Sequence, residues 1–161
     1  MRSNDVYLGL PHDIFCFTML QEIMARGLDV NIGRYIHTIG SLHLYTKDQD
    51  KAAAFVKEGW QSTENPMPPM PLGDPWPSIS VLLEAERIIR QGEQELVTIP
   101  QDLDSYWVDF IKILQIFKNI KSKDRKKASA MLEELESGAY DCFINKRLDE
   151  ISSPVCSEKK N

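Results

Sequence analysis

The sequence is short of the residues that staple, coordinate or span. Its 161 residues include three cysteines, Cys16, Cys142 and Cys156, an odd number set far apart, which suggests neither a disulfide framework nor a zinc site. No apolar run approaches the roughly 18 residues needed to cross a bilayer. Arg2, Asn4 and Asp5 occupy the start, and polar residues interrupt the stretch after them, which argues against a basic-then-apolar leader. A basic excess is also missing. The 19 Lys and Arg against 24 Asp and Glu leave a net charge of -5 and a pI near 5.2, against non-specific nucleic-acid binding, which needs a basic field. The chain is therefore expected to be cytoplasmic, with neither membrane nor nucleic acid as a partner. What is present is ordinary for a globular chain: 42% apolar and 27% charged residues exclude wholesale disorder. The length fits one domain or two small halves sharing a core, burying roughly two-thirds of the unfolded surface.

Two unlike halves meet at a seam from Asn65 to Pro77 that holds six prolines. Each proline lacks an N–H and restricts its predecessor, so the seam cannot be helix or central strand. Its Met, Leu and Trp residues point to an extended segment packed on a surface and not a loose linker, with a PxxP-type ligand for a partner domain as the lesser reading. The expected division is residues 1–77 as a first half including the segment 65–77, then a helical region over 78–151 and a frayed tail over 152–161.

In the first half, Asp5 to Leu10 reads as a short strand ending at Pro11. Pro11 and Asp13 then open a helix to about Arg26, with Gly27 as its stop. Ile14, Phe15, Phe17, Met19, Leu20, Ile23 and Met24 cover most of its circumference, the pattern of a buried helix in which Cys16 is a core cysteine. Asn31 to Tyr45 suggests strand broken near Gly40 and Ser41, and Lys47 to about Gly59 an amphipathic helix. After the seam, Ser78 can cap a helix through Gln91, ended by Gly92. A helix from about Leu103 to Lys121 carries a core stripe, and Lys121 to Lys127 reads as a solvated turn, a phosphate-binding patch being the lesser reading. A last helix is expected over Ala128 to Glu136.

Polar residues with chemical potential cluster among apolar neighbours. Arg2, Ser3 and Asp5 put a cation, a hydroxyl and a carboxylate at the mouth of a strand, and Arg with Ser can hold a phosphate through a planar fork and a short donor. Asp13 stands at a strand-to-helix turn, where a helix cap would be its plainest role. His43 and Tyr45, two apart, share one face of a strand, as a half-buried strand edge also would.

Taken in order, Arg2-Ser3-x-Asp5, then Leu8-Gly9-Leu10-Pro11, then His43-x-Tyr45 after a Gly-containing stretch resemble the motifs of the thymidylate synthase superfamily, and the proline-rich seam sits where that family places one. The resemblance covers about the first half and fades after Trp76. It implies an α+β fold, a thymidylate synthase-like sheet with packed helices, followed here by a divergent helical region. It also implies that Arg2 and Ser3 bind the 5′-phosphate of a pyrimidine nucleoside monophosphate, and that His43 and Tyr45 hold its sugar 3′-hydroxyl. Asp5 then hydrogen-bonds the pterin of the cofactor, 5,10-methylenetetrahydrofolate, while Leu8 and Gly9 line the place where base meets folate.

Two departures from the family pattern carry consequences. Where the pattern continues Phe-Asn, this chain has His12 and Asp13. An Asn amide can accept from uracil N3–H and donate to O4, whereas cytosine reverses that edge. An Asp accepting from N4, and donating to N3 when protonated, suits cytosine. The branch with Asp resembles the cytidylate hydroxymethylases, so dCMP or CMP is expected ahead of dUMP; His12 either touches the base or fills space. The second departure is the family's catalytic cysteine, which lies upstream of the Arg-Ser motif and has no counterpart here. The chain is therefore expected to be inactive alone, as a fragment, a late start or one member of a split enzyme. The whole enzyme would be a homodimer transferring one carbon to pyrimidine C5, as methyl or hydroxymethyl. The alternatives are a non-catalytic nucleotide-binding or regulatory module, and an interaction protein working through its helical tail.

Overall fold

A computed structural model describes residues 1–59 and 64–152. It is mostly helical, with one small parallel sheet, consistent with the expected α+β class. The described residues divide into two compact units, one of residues 1–59, 64 and 72–74 and the other of residues 65–71 and 75–152.

In the first unit, β1 (Asn4–Asp5) pairs in parallel with β2 (Leu42–His43), Asn4 opposite Leu42 and Asp5 opposite His43. Hydrogen bonds extend the contact on both sides: Gly40 N to Met1 O at 3.0 Å, Asn4 N to Ser41 O and Val6 N to His43 O, both at 2.9 Å. Gly40 suits this close approach, since a Cβ would stand a tight 3.1 Å from the Arg2 carbonyl oxygen.

Helix α1 (Gly9–Gly27) comes directly after, so the expected strand from Asp5 to Leu10 ends after its first residue. The cause is Asp5, whose Oδ2 accepts from the N–H groups of Leu8 (2.7 Å) and Gly9 (3.2 Å) and so satisfies donors that open a helix. Pro11, expected to start the helix, lies in its first turn, where a missing N–H costs nothing. Nor does Gly27 stop it: the left-handed residue is Asp29 (φ 52°), after which Val30 N donates to Ala25 O at 2.9 Å.

Helix α1 is not buried, contrary to its composition. Phe15, Phe17, Leu20 and Met24 are between 45% and 62% exposed, Cys16 is exposed too, and Ala25 is the only buried apolar residue of this unit among the described residues. A helix apolar around most of its circumference needs cover on several sides, and the described part of the unit supplies little. The expected strand over residues 31–45 shrinks to β2 for the same reason, because a strand needs a pairing neighbour. Instead the segment lies along α1 through side chains: Gln21 Nε2 donates to Gly33 O at 3.0 Å, and the His37 ring sits 6.5 Å from that of Phe17. Helix α2 (Gln49–Lys57) falls within the amphipathic stretch, behind a single 3₁₀ turn.

The second unit has a true core. Of the seam residues expected to pack, Met70 is fully buried, whereas Leu72 (84%) and Trp76 (57%) are exposed, and Trp76 and Pro77 of the seam are helical instead of extended. Helix α3 (Trp76–Gln91) begins at Trp76 with Pro77 in its first turn, so Ser78 is inside the helix and caps nothing. Gly92, at φ 91°, closes it with Gly92 N on Ile89 O and Glu93 N on Ile88 O. Helix α4 (Ser105–Lys121) is capped by Asp104, which accepts from Tyr106 N at 2.9 Å. It is the central helix: Ile111 packs with Ala85 and Ile89 of α3, while Ile116 packs with Ala128, Ile144 and Leu148.

The expected helix over Ala128 to Glu136 is displaced and shorter, α5 (Arg125–Leu132), because Asp124 caps it through Lys127 N at 3.1 Å. The chain leaves it towards buried Asp109, which accepts from Glu136 N (3.1 Å) and Ser137 N (3.0 Å) and anchors the turn to α4. Burial, helped by the nearby Asp109 charge, pushes the Tyr140 phenol up from its ordinary value. A further helix, α6 (Asp141–Ser152), went unrecognised in the sequence and supplies Ile144 and Leu148 to the core. Cys142 is exposed on it, while Cys156 and nearly all of the expected frayed tail lie outside the described residues. No helix among the described residues is long and apolar enough to cross a membrane.

Candidate nucleotide site

The parallel pairing of β1 with β2 draws together motifs separated by some forty residues. Ser3 Oγ lies 3.3 Å from His43 Nδ1, and the His43 ring meets Tyr45 edge to face, 4.8 Å between centroids. Tyr45 comes after β2 in extended backbone, so the expected sharing of a face by His43 and Tyr45 survives as a ring contact although the strand is two residues long. Lys47 Nζ stands 5.5 Å from the Tyr45 ring, adding a cation that sequence reasoning missed. Arg2 is exposed and forms no ion pair among the described residues, leaving its guanidinium open to an anion.

Asp5 is buried and has two tasks. Oδ2 holds the amides of Leu8 and Gly9, while Oδ1, equally buried, has no hydrogen-bond partner among the described residues. The Leu8 N–H, joined by those of Gly9 and Tyr7 and by the nearby His43, holds the carboxyl below its ordinary 3.8 against the opposing effect of burial. A lowered folded value means that the contribution of Asp5 to stability is complete above about pH 3.8 and is lost as pH falls through the folded value. Protection of the Leu8 and Gly9 amides, measured against their intrinsic exchange at each pH, should therefore fall in acid below that pH. In Asp5→Asn the acid step should disappear, and an undiminished step would assign it elsewhere.

Asp13 does not cap α1. Its Oδ2 accepts from Asn4 Nδ2 at 2.8 Å, which ties the base-reading candidate to β1. Asn4 is buried, and Gly9 makes room for it, because a Cβ on Gly9 would collide with Asn4 Oδ1. Sequence reasoning passed over Asn4 as the variable position of Arg-Ser-x-Asp; a buried amide within reach of a helix carboxylate becomes visible only once β1 and α1 are placed. The His12 ring turns back onto the Leu8 carbonyl oxygen and is exposed. Leu8 is about half exposed and precedes the helix, its N–H on Asp5 Oδ2.

The arrangement is that of a small polar site on an α+β unit: a free guanidinium, a hydroxyl and imidazole in contact, a phenol, and two carboxylates each with one oxygen engaged from within the chain. Comparison with known proteins gives it a family. A profile described as "Thymidylate synthase" matches residues 1–81, just over half of the chain, and the chain belongs to the thymidylate synthase family. Among its relatives are the thymidylate synthases of Listeria monocytogenes serovar 1/2a (strain ATCC BAA-679 / EGD-e) and Listeria innocua serovar 6a (strain ATCC BAA-680 / CLIP 11262). Each is 34% identical over 73 residues, which is 45% of this chain and 22% of the relative. The chain thus spans about a fifth of the length of the relatives it matches.

Proposed function

We propose that this chain supplies the nucleotide-holding part of a thymidylate synthase-type enzyme that transfers one carbon to C5 of a pyrimidine nucleoside monophosphate, cytidylate ahead of deoxyuridylate. The observation that carries the reading is the contact of Ser3 with His43, which puts the proposed phosphate and sugar ligands side by side. Arg2 and Ser3 would take the phosphate, one by a charged fork and the other by a hydroxyl donor. His43 and Tyr45 would hold the sugar hydroxyl, and Asp13 the Watson–Crick edge of the base. The free Oδ1 of Asp5 suits the N–H donors of a pterin, with Leu8 and Gly9 beside it, so the residues present fit 5,10-methylenetetrahydrofolate. That cofactor, when bound, supplies the one-carbon unit; the chain's own groups bind and orient. The enzyme would be a homodimer.

Calorimetric titration with dCMP, CMP and dUMP, each with and without a folate analogue, tests the reading. Selective binding of a cytidine monophosphate, tightened by the analogue, supports it. Binding indifferent to the analogue would favour a nucleotide-sensing module without catalysis, and binding of none of them would overturn the assignment of nucleotide contacts to this chain. Arg2→Ala should weaken nucleotide binding by about 1.5–3 kcal/mol, the worth of a charged hydrogen bond, while leaving nucleoside binding unchanged. Equal affinity of the parent for nucleoside and nucleotide would refute the phosphate role.

A further inference from the structure

Asn4 does more than fill the variable position of a motif. It is buried on β1, yet its side chain reaches across to α1 and donates from Nδ2 to Asp13 Oδ2 at 2.8 Å. Its Oδ1 lies against Gly9 so closely that any Cβ there would displace it. Asn4 and Asp13 are nine positions apart on different elements, so the contact fixes the Asp13 side chain from outside its own helix.

We infer that Asn4 is a positioning residue that sets the base preference of the site. This rests on the reading above, in which Asp13 meets the base. An amide N–H on Oδ2 leaves Oδ1 as the oxygen for a ligand, and a carboxylate receiving that donor presents an acceptor. The base that fits an acceptor at this edge carries an exocyclic amino group; a base with a carbonyl there meets oxygen against oxygen. The chain thereby obtains discrimination for an amino-bearing pyrimidine from an acceptor oxygen of Asp13. Gly9 belongs to the same device, since its missing side chain is the space in which the Asn4 amide turns.

The test is the ratio of dCMP to dUMP affinity, measured by calorimetry in the intact chain and in Asn4→Ala, Asn4→Leu and Gly9→Ala. Asn4→Leu keeps the bulk and removes the donor, so loss of packing is separated from loss of the hydrogen bond, and thermal melts identify any variant that fails to fold. All three variants should lower the ratio by about tenfold, the effect of one hydrogen bond on a charged acceptor. Asn4→Asp should make the ratio depend on pH, because two carboxylates at hydrogen-bond distance cannot both ionise and must share a proton. A purely structural role for Asn4 would lower melting temperatures and leave the ratio and its pH profile unmoved. If the parent prefers dCMP and the folded variants keep its ratio, the inference falls alone. If the parent shows no preference, or binds neither nucleotide, the underlying reading of Asp13 falls and takes the inference with it.

Discussion

Asp13→Asn is expected to reverse the base preference, weakening dCMP and strengthening dUMP. One atom would suffice. Asn4 Nδ2 occupies one oxygen of Asp13, and an Asn at this position would offer its own carbonyl oxygen to the same donor. The atom left for the ligand then changes from an acceptor oxygen to an amide N–H donor, which complements a carbonyl on the base and opposes an amino group. A mismatched polar pair in a partly desolvated site leaves both groups unsatisfied, so the relative affinities should move by about 1.5–3 kcal/mol, roughly ten- to a hundredfold. Competition between the two nucleotides in a single titration would measure it. An unchanged order of affinities would remove Asp13 from base recognition.

Ile111→Ala is expected to cost the second unit about 2–5 kcal/mol, a large part of the stability of so small a body. Ile111 is fully buried on α4, among Ala85 and Ile89 of α3 with Val97, Ile99 and Leu114 around it. Truncation removes buried methyl groups and leaves a hole that a helix capped by Asp104 and tied by Asp109 to the turn after α5 cannot readily collapse. Leu83→Ala serves as the comparison. Leu83 lies on α3 but is 63% exposed, so its loss should change stability by about 0.5 kcal/mol or less. Urea denaturation monitored by helical circular dichroism would measure both, and comparable costs would contradict the assignment of α4 as the central helix.

The second unit was the more legible of the two, for a physical reason. Gly92 in left-handed backbone and the stripe of α4 are local signals satisfied by local partners, and they placed α3 and α4 within a few residues. Starts were harder to read because caps compete: Asp124 and Asp104 each made a beginning that hydrophobic spacing alone did not fix. Helix α6 was invisible because four of its first seven residues are polar or charged and its apolar contribution rests on Ile144 and Leu148. In the first unit the spacing of α1 correctly indicated a helix, but not its exposure, because burial depends on what surrounds it. For the candidate site, the motifs named Ser3, His43 and Tyr45, and the β1–β2 register brought them together. Asn4 and Lys47 required coordinates, since neither lies on a sequence pattern whose chemistry is explicit.

The bare flank of α1 also bears on how long such a chain persists. Phenylalanines and leucines left in water are what chaperones hold and proteases find, and they promote association of copies with one another.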